Sequence, residues 1–171
     1  MELSRVRIDT PLGRLVAIQS ESGLCDLDFV DRWETKLGRL KRRFGEDLRF
    51  ADGSDPFEIA KTLAAYFDGD LHAFDDVPED VAGTAFERAV WSALRQIPVG
   101  ATWSYRDLAD RVGNPAACRA VGSANGRNPV AIVVPCHRVI RGDGTLGGYA
   151  GGLDRKKRLL VHENAPGFMF E

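Results

Sequence analysis

The sequence predicts an α+β protein in two parts, a small strand-and-helix domain followed by a helical domain. Three observations lead there. The first 29 residues alternate apolar and polar positions between turn residues, residues beyond 84 carry helix-start signals with apolar faces at helical spacing, and an acidic, pattern-poor run separates the two. A length of 171 residues suits one ordinary domain or two small ones.

In the first part, Leu3, Val6 and Ile8, then Leu15, Val16 and Ile18, then Leu24, Leu27 and Phe29 read as three short antiparallel strands. Thr10-Pro11-Leu12-Gly13 and Ser22-Gly23 are the turns between them. Residues 31–44 are charged and read as a helix, and Phe57, Ala60, Leu63, Ala64 and Phe67 recur at helical spacing. Residues 69–83 hold HAFDDVPEDVAG, which has the composition of a linker. The expected division is an N-terminal domain over 1–75, a linker over 76–83 and a second domain over 84–171.

Thr84-Ala85-Phe86-Glu87 is a capping box, in which the Thr and Glu side chains satisfy two orphan backbone N–H groups; Phe86, Val90, Leu94 and Ile97 follow as one apolar face. The helix stops at Pro98-Val99-Gly100. Ser104 to Asp107 forms a second cap, leading a short helix through Leu108, Ala109 and Val112 to Gly113. Asn114 as N-cap and Pro115 at the first helical position open a third helix running to about Ala124. Two short helices joined by a Gly-Asn turn make a helix-turn-helix candidate. Val130 to Val134 reads as a buried strand or extended run, a glycine-rich loop follows, and Leu153 to Glu163 closes the pattern as a basic helix with Arg155, Lys156, Lys157 and Arg158. The loop glycines do not match a phosphate-binding fingerprint, which joins a strand directly to a helix.

Charge divides along the same line. Residues 1–83 hold 11 Lys/Arg against 18 Asp/Glu, and residues 84–171 hold 12 against 7, so the net charge of -2 conceals an acidic half and a basic one. The basic half is the one suited to a polyanion. No apolar run reaches the roughly 18 residues of a membrane helix. The opening MELSRVRIDTPLG has no secretory h-region and the three cysteines cannot all pair, so the expected compartment is a reducing cytoplasm.

Cys25 and Cys118 fall in a predicted strand and a predicted helix, where a small buried hydrophobe is the default. Cys136 differs, because it follows Pro135 at the end of an apolar run and precedes His137 and Arg138. The thiolate is the reactive form, and an ordinary thiol is only about 3% ionised at pH 7, so a reactive cysteine needs cationic or donor neighbours. In an extended segment His137 would point away from Cys136, and a turn or a bridging water is then required. Three scattered cysteines and three histidines give no paired metal-ligand spacing, and the motifs of papain-like hydrolases are missing.

The run Arg119-Ala120-Val121-Gly122, Gly126-Arg127-Asn128-Pro129 and Ile132-Val133-Val134-Pro135-Cys136-His137-Arg138-Val139-Ile140 resembles the O6-alkylguanine-DNA alkyltransferase family. The resemblance continues through Gly148-Tyr149-Ala150-Gly151-Gly152-Leu153 and Leu159-Leu160-Val161-His162-Glu163, and upstream from Phe86 to Tyr105. It implies a winged-helix-like DNA-binding domain carrying the active-site cysteine, and direct transfer of an alkyl group from guanine O6, with thymine O4 as a further candidate lesion, to Cys136, once per molecule. His137, through a water, is implied as the base, Glu163 as its support, Tyr105 as a donor to guanine N3 and Asn128 as the tie between helix and active-site segment. Arg119, which fills the space of the extruded nucleotide, and Ala120 and Ser123 are the implied DNA-binding residues on a helix in the minor groove, with Arg138 implied as a further DNA-binding residue. The implied partner is double-stranded DNA containing O6-alkylguanine, met by a monomer with no cofactor, no metal and no membrane. Ala150 stands where some relatives have serine, which removes one hydroxyl contact to the base. A sensor that binds the lesion without reacting, a helix-turn-helix transcription regulator and a turnover cysteine hydrolase are the alternatives.

Overall fold

The computed structural model describes residues 1–168, so the last three positions of the domain expected over 84–171 lie outside the described residues. The chain forms two compact units, Met1–Ala82 and Gly83–Glu171.

In the first unit β1 (Glu2–Thr10), β2 (Gly13–Gln19) and β3 (Leu24–Phe29) form the expected antiparallel meander. A fourth strand, β4 (Arg49–Asp52), pairs parallel to β1 and gives the order β3-β2-β1-β4. Its four residues offer only Phe50 and Ala51 as apolar positions, too short a pattern to announce a strand. Helix α1 (Trp33–Phe44) covers the sheet, with Leu40 packed among Leu3, Val16, Ile18, Cys25 and Leu48. Helix α2 (Ile59–Phe67) buries Ile59, Leu63 and Tyr66 rather than the expected Ala60, Leu63, Ala64 and Phe67. Asp55 sets that register, because its carboxylate accepts the Ile59 and Ala60 N–H groups at 2.8 and 2.9 Å.

Charged α1 is not all surface. Lys36, 1% exposed, lies 3.3 Å from both Asp26 and Asp28 of β3. Burial pushes the Asp26 carboxyl up to about 6 against the pull of Lys36.

The run expected as a linker is stitched to the sheet where it passes β3. Leu24 N–H donates to the Pro78 carbonyl at 2.8 Å, Asp80 N–H donates to the Leu24 carbonyl at 2.9 Å, and Arg43 reaches the Asp80 carboxylate at 2.6 Å. Composition reads such a run as loose because its hydrogen-bond partners lie more than 35 residues away.

In the second unit α3 (Ala85–Leu94) and α4 (Tyr105–Arg111) begin with complete capping boxes at Thr84 and Ser104. Val90, Leu94 and Ile97 of the expected face are buried, while Phe86 is 36% exposed. Helix α5 (Cys118–Gly126) packs on both, and Trp91 Nε1 donates to the Ala124 carbonyl at 2.9 Å. It begins three residues later than the expected Pro115: the Asn114 carbonyl accepts Ala117 N–H at 3.0 Å, so 114–117 close as a turn and Asn114 caps nothing. Strands β5 (Trp103–Ser104) and β6 (Val139–Ile140) form a short parallel pair, and α6 (Leu153–His162) follows.

Gly23 tests the stitched segment, since a Cβ there would lie 2.6 Å from the Pro78 carbonyl oxygen. Gly23→Ala is expected to destabilise the protein by about 1–3 kcal/mol, read from chemical denaturation, whereas Gly142→Ala should show no such cost because its Cβ would meet nothing within 4 Å and its φ is not positive.

Candidate active site

The segment leading to Cys136 is buried yet pairs with no strand ladder, which corrects the extended reading. Residues 130–134 fold back on themselves: Val134 N–H donates to the Val130 carbonyl at 3.0 Å, and Ile132 adopts φ 72°. Side chains take several of the remaining groups. Asn128 Nδ2 donates to the Val134 carbonyl at 2.7 Å, its Oδ1 accepts Val130 N–H at 3.0 Å, and Arg95 donates to the Val133 carbonyl at 2.8 Å. Asn128 thus ties the end of α5 to the segment, by two bonds from one side chain.

Cys136, His137 and Arg138 form one turn of 3-10 helix instead of continuing as extended chain. All three are buried, His137 completely. His137 Nε2 lies 3.0 Å from Glu163 Oε1, so the carboxylate fixes the proton on Nε2 and leaves Nδ1 as the lone-pair nitrogen. Nδ1 is buried and has no hydrogen-bond partner among the described residues. Glu163, 2% exposed, ends α6 and is no solvated helix-end charge.

Arg138 departs from expectation. It is 8% exposed; its Nε and Nη2 donate to the two Glu163 oxygens at 2.8 and 3.0 Å, and Nη1 donates to the Ile97 carbonyl at 2.8 Å. Three interior acceptors and this burial place the guanidinium as an internal tie rather than on the exposed side of the domain. Burial alone would push the Glu163 carboxyl up, but His137 and Arg138 overcome it and hold the group well below the usual carboxylate range.

Tyr105 opens α4 and is half-buried. Its ring lies against Gly122 of α5, and its hydroxyl lies beside Gly147, where an added Cβ would come within 3.0 Å. Burial pushes the Tyr105 hydroxyl up. Lys156, one of the four basic residues of α6, is fully buried, and its ammonium donates to the carbonyls of Leu146 and of Gly148, the latter at 3.0 Å. Burial lowers its pKa to about 8. The available signal was its spacing, since Lys156 shares the i, i+3, i+4 face with buried Leu159 and Leu160.

Arg119, Ala120 and Ser123 share the exposed side of α5, opposite buried Val121, Ala124 and Asn125. Ala150 is exposed, Cys118 is partly so, and Cys25 is buried. Among the described residues no group of three or more His, Cys, Asp or Glu is placed to hold a metal ion, and no helix is long and apolar enough to cross a membrane.

A carboxyl held low in the fold contributes stability above its unfolded value of about 4.3 and loses it as pH falls below that value. Thermal unfolding is therefore expected to drop steeply below pH about 4.5. Glu163→Gln, which leaves Arg138 buried without its counter-charge, should cost about 3–5 kcal/mol at pH 7 and flatten the acid limb.

Two models described as 6-O-methylguanine DNA methyltransferase match the chain, the ribonuclease-like domain over residues 6–81 and the DNA binding domain over 85–165. A methylated-DNA–protein-cysteine methyltransferase of Salmonella typhimurium is 43% identical across 95% of this chain and 96% of its own. One of Methanosarcina barkeri is 44% identical across 91% and 94%. The crystal structure of Mycobacterium tuberculosis OGT in complex with DNA is 38% identical, covers 97% of both chains and superposes with a TM-score of 0.76. With identity of this order over nearly its whole length, in both units, the chain belongs to the 6-O-methylguanine DNA methyltransferase family.

Proposed function

We infer that this protein repairs DNA by transferring an alkyl group from guanine O6 irreversibly to its own Cys136, one event per molecule. The observation that carries the reading is the buried Cys136-His137 turn with the second imidazole nitrogen held on Glu163. The Cys136 proton passes through a water to His137 Nδ1, and the thiolate attacks the alkyl carbon in line. The Sγ–C bond forms as the C–O6 bond breaks, and the electron pair of the broken bond leaves with the guanine. Tyr105, at the start of α4, donates its hydroxyl to N3 as negative charge gathers on the base. Asn128 holds the helix and the cysteine segment in register.

The lesion reaches the site by extrusion from double-stranded DNA. The exposed face of α5 lies in the minor groove, with Ala120 and Ser123 permitting close approach and Arg119 filling the vacated stack. One molecule meets one lesion, so a monomer suffices, and the working free thiol suits a reducing cytoplasm. The domain division over 1–75, 76–83 and 84–171 leaves all of this chemistry to the second domain. A sensor that only binds the lesion needs no nucleophile, and Cys136 stands against it.

Peptide mapping after reaction with an O6-methylguanine duplex should find one methyl group per protein, on Cys136, with Cys25 and Cys118 unmodified. Multiple turnovers, or full repair by Cys136→Ala, would overturn the mechanism.

Arg119→Ala should slow repair in duplex DNA about tenfold or more, because extrusion costs a few kcal/mol that the arginine offsets, and should leave reaction with a free O6-methylguanine base nearly unchanged. Tyr105→Phe should slow both substrates by about tenfold or more, since its donor acts on the departing base. Equal losses on the two substrates for Arg119→Ala would place that residue in the fold rather than in the DNA.

A further inference from the structure

A buried water typically makes about three hydrogen bonds, and this relay gives its water only two partners, the Cys136 thiol and His137 Nδ1. Asn125 supplies another. It lies on the inner face of α5, 5% exposed, and its Nδ2 donates to the Cys136 carbonyl oxygen at 3.4 Å. That contact sets its amide head against the Cys136–His137 peptide. Asn125 Oδ1 is buried and, like His137 Nδ1, has no hydrogen-bond partner among the described residues. Two unsatisfied atoms thus belong to side chains meeting at one peptide unit. The amide oxygen can only accept, and Nδ1 accepts in the tautomer that Glu163 imposes. Two acceptors cannot satisfy each other, whereas a water offers two donors and two lone pairs.

We propose that Asn125 is a positioning residue of the proton relay, its Oδ1 anchoring the water that carries the proton from Cys136 Sγ to His137 Nδ1. The proposal deepens the functional reading above and depends on its assignment of Cys136 and His137. At rest the water donates one O–H to Nδ1 and the other to Asn125 Oδ1, and accepts the thiol S–H. On activation the thiol proton moves to the water as the water's own proton moves to Nδ1, and the electron pair stays on Sγ. The imidazolium then donates Nδ1–H to the water, which donates to the thiolate and keeps its bond to Oδ1. The water is regenerated and Asn125 neither gains nor loses a proton. The charged or titratable groups around the pair are Glu163 and Arg138, Lys156 on α6, Tyr105 on α4 and Arg141 beside Tyr105. Asn125 is neutral, so replacing it leaves each of those charges in place.

The experiment measures single-turnover methyl transfer from an O6-methylguanine duplex between pH about 5 and 9, for the unaltered protein, Asn125→Leu, Asn125→Ala, His137→Ala and the double variant Asn125→Leu with His137→Ala. Asn125→Leu is expected to slow transfer at pH 7 about tenfold or more and to move the acid-side midpoint of the rate profile downward by about one unit, because the water that accepts the imidazolium N–H loses the acceptor that supports it. Asn125→Ala, with room for a replacement water, should move it in the same direction by less, and it carries the test if the leucine variant fails to fold. The double variant should be no slower than His137→Ala alone, because both residues act through one water. A loss equal at every pH with the midpoint unmoved, an unchanged rate, or losses that multiply in the double variant would overturn the proposal and leave Asn125 as a tie on the Cys136 carbonyl. Full-rate transfer by His137→Ala would instead overturn the underlying relay, a distinguishable failure.

Discussion

The second unit depends on one buried carboxylate. Glu163 takes the whole fork of Arg138 and the Nε2 of His137, and through Arg138 it is joined to the carbonyl of Ile97 beyond the end of α3. A carboxylate taken out of water loses several kcal/mol of hydration, recovered only when its partners and geometry are good. Here the arginine supplies the counter-charge and a bidentate fit, which frees the imidazole to be oriented rather than to serve as the sole neutraliser. One interaction therefore joins α6, the Cys136–Arg138 turn and the end of α3, and it orients the His137 imidazole.

The active-site backbone is held mainly by side chains rather than by a sheet. Between Asn128 and Arg138, carbonyls that would ordinarily enter a ladder are taken by Asn128, Arg95 and Asn125, and Lys156 does the same for the 146–148 loop. Each is a side-chain donor whose loss leaves a buried acceptor unmet, at about 1–3 kcal/mol. The framework is stiff enough to keep Ile132 at φ 72°, a conformation a β-branched residue adopts only when its surroundings over-determine it. The proposed single transfer would benefit from this rigidity, because thiol, relay and donor would have to be in place already when the base arrives.

The basic charge of residues 84–171 and the exposed face of α5 belong to the same unit as the reactive cysteine. The first unit carries the acidic excess and keeps some of it inside, in the Lys36, Asp26 and Asp28 cluster. Its charge pattern is thus partly a matter of internal pairing and not only of surface.

The sequence by itself determined what depends on near neighbours: the meander of β1 to β3, the capping boxes at Thr84 and Ser104, and the Pro135-Cys136-His137 context that singles out one thiol of three. Those signals are local, since a cap acts over three residues and a strand's alternation shows within six or seven. Tertiary structure decided the rest. Arg138 reads as a surface cation until it is seen against Glu163, 25 residues away, and Ile97, 41 away; Lys156 and Asn125 read as ordinary helix residues until the carbonyls they serve are folded over them. Strand β4 and the stitched run at 78–80 likewise exist because distant backbone groups meet them. Whether a polar side chain is solvated or buried is set by partners remote in sequence, because desolvation is tolerable only where a complementary charge or hydrogen bond has been brought to it.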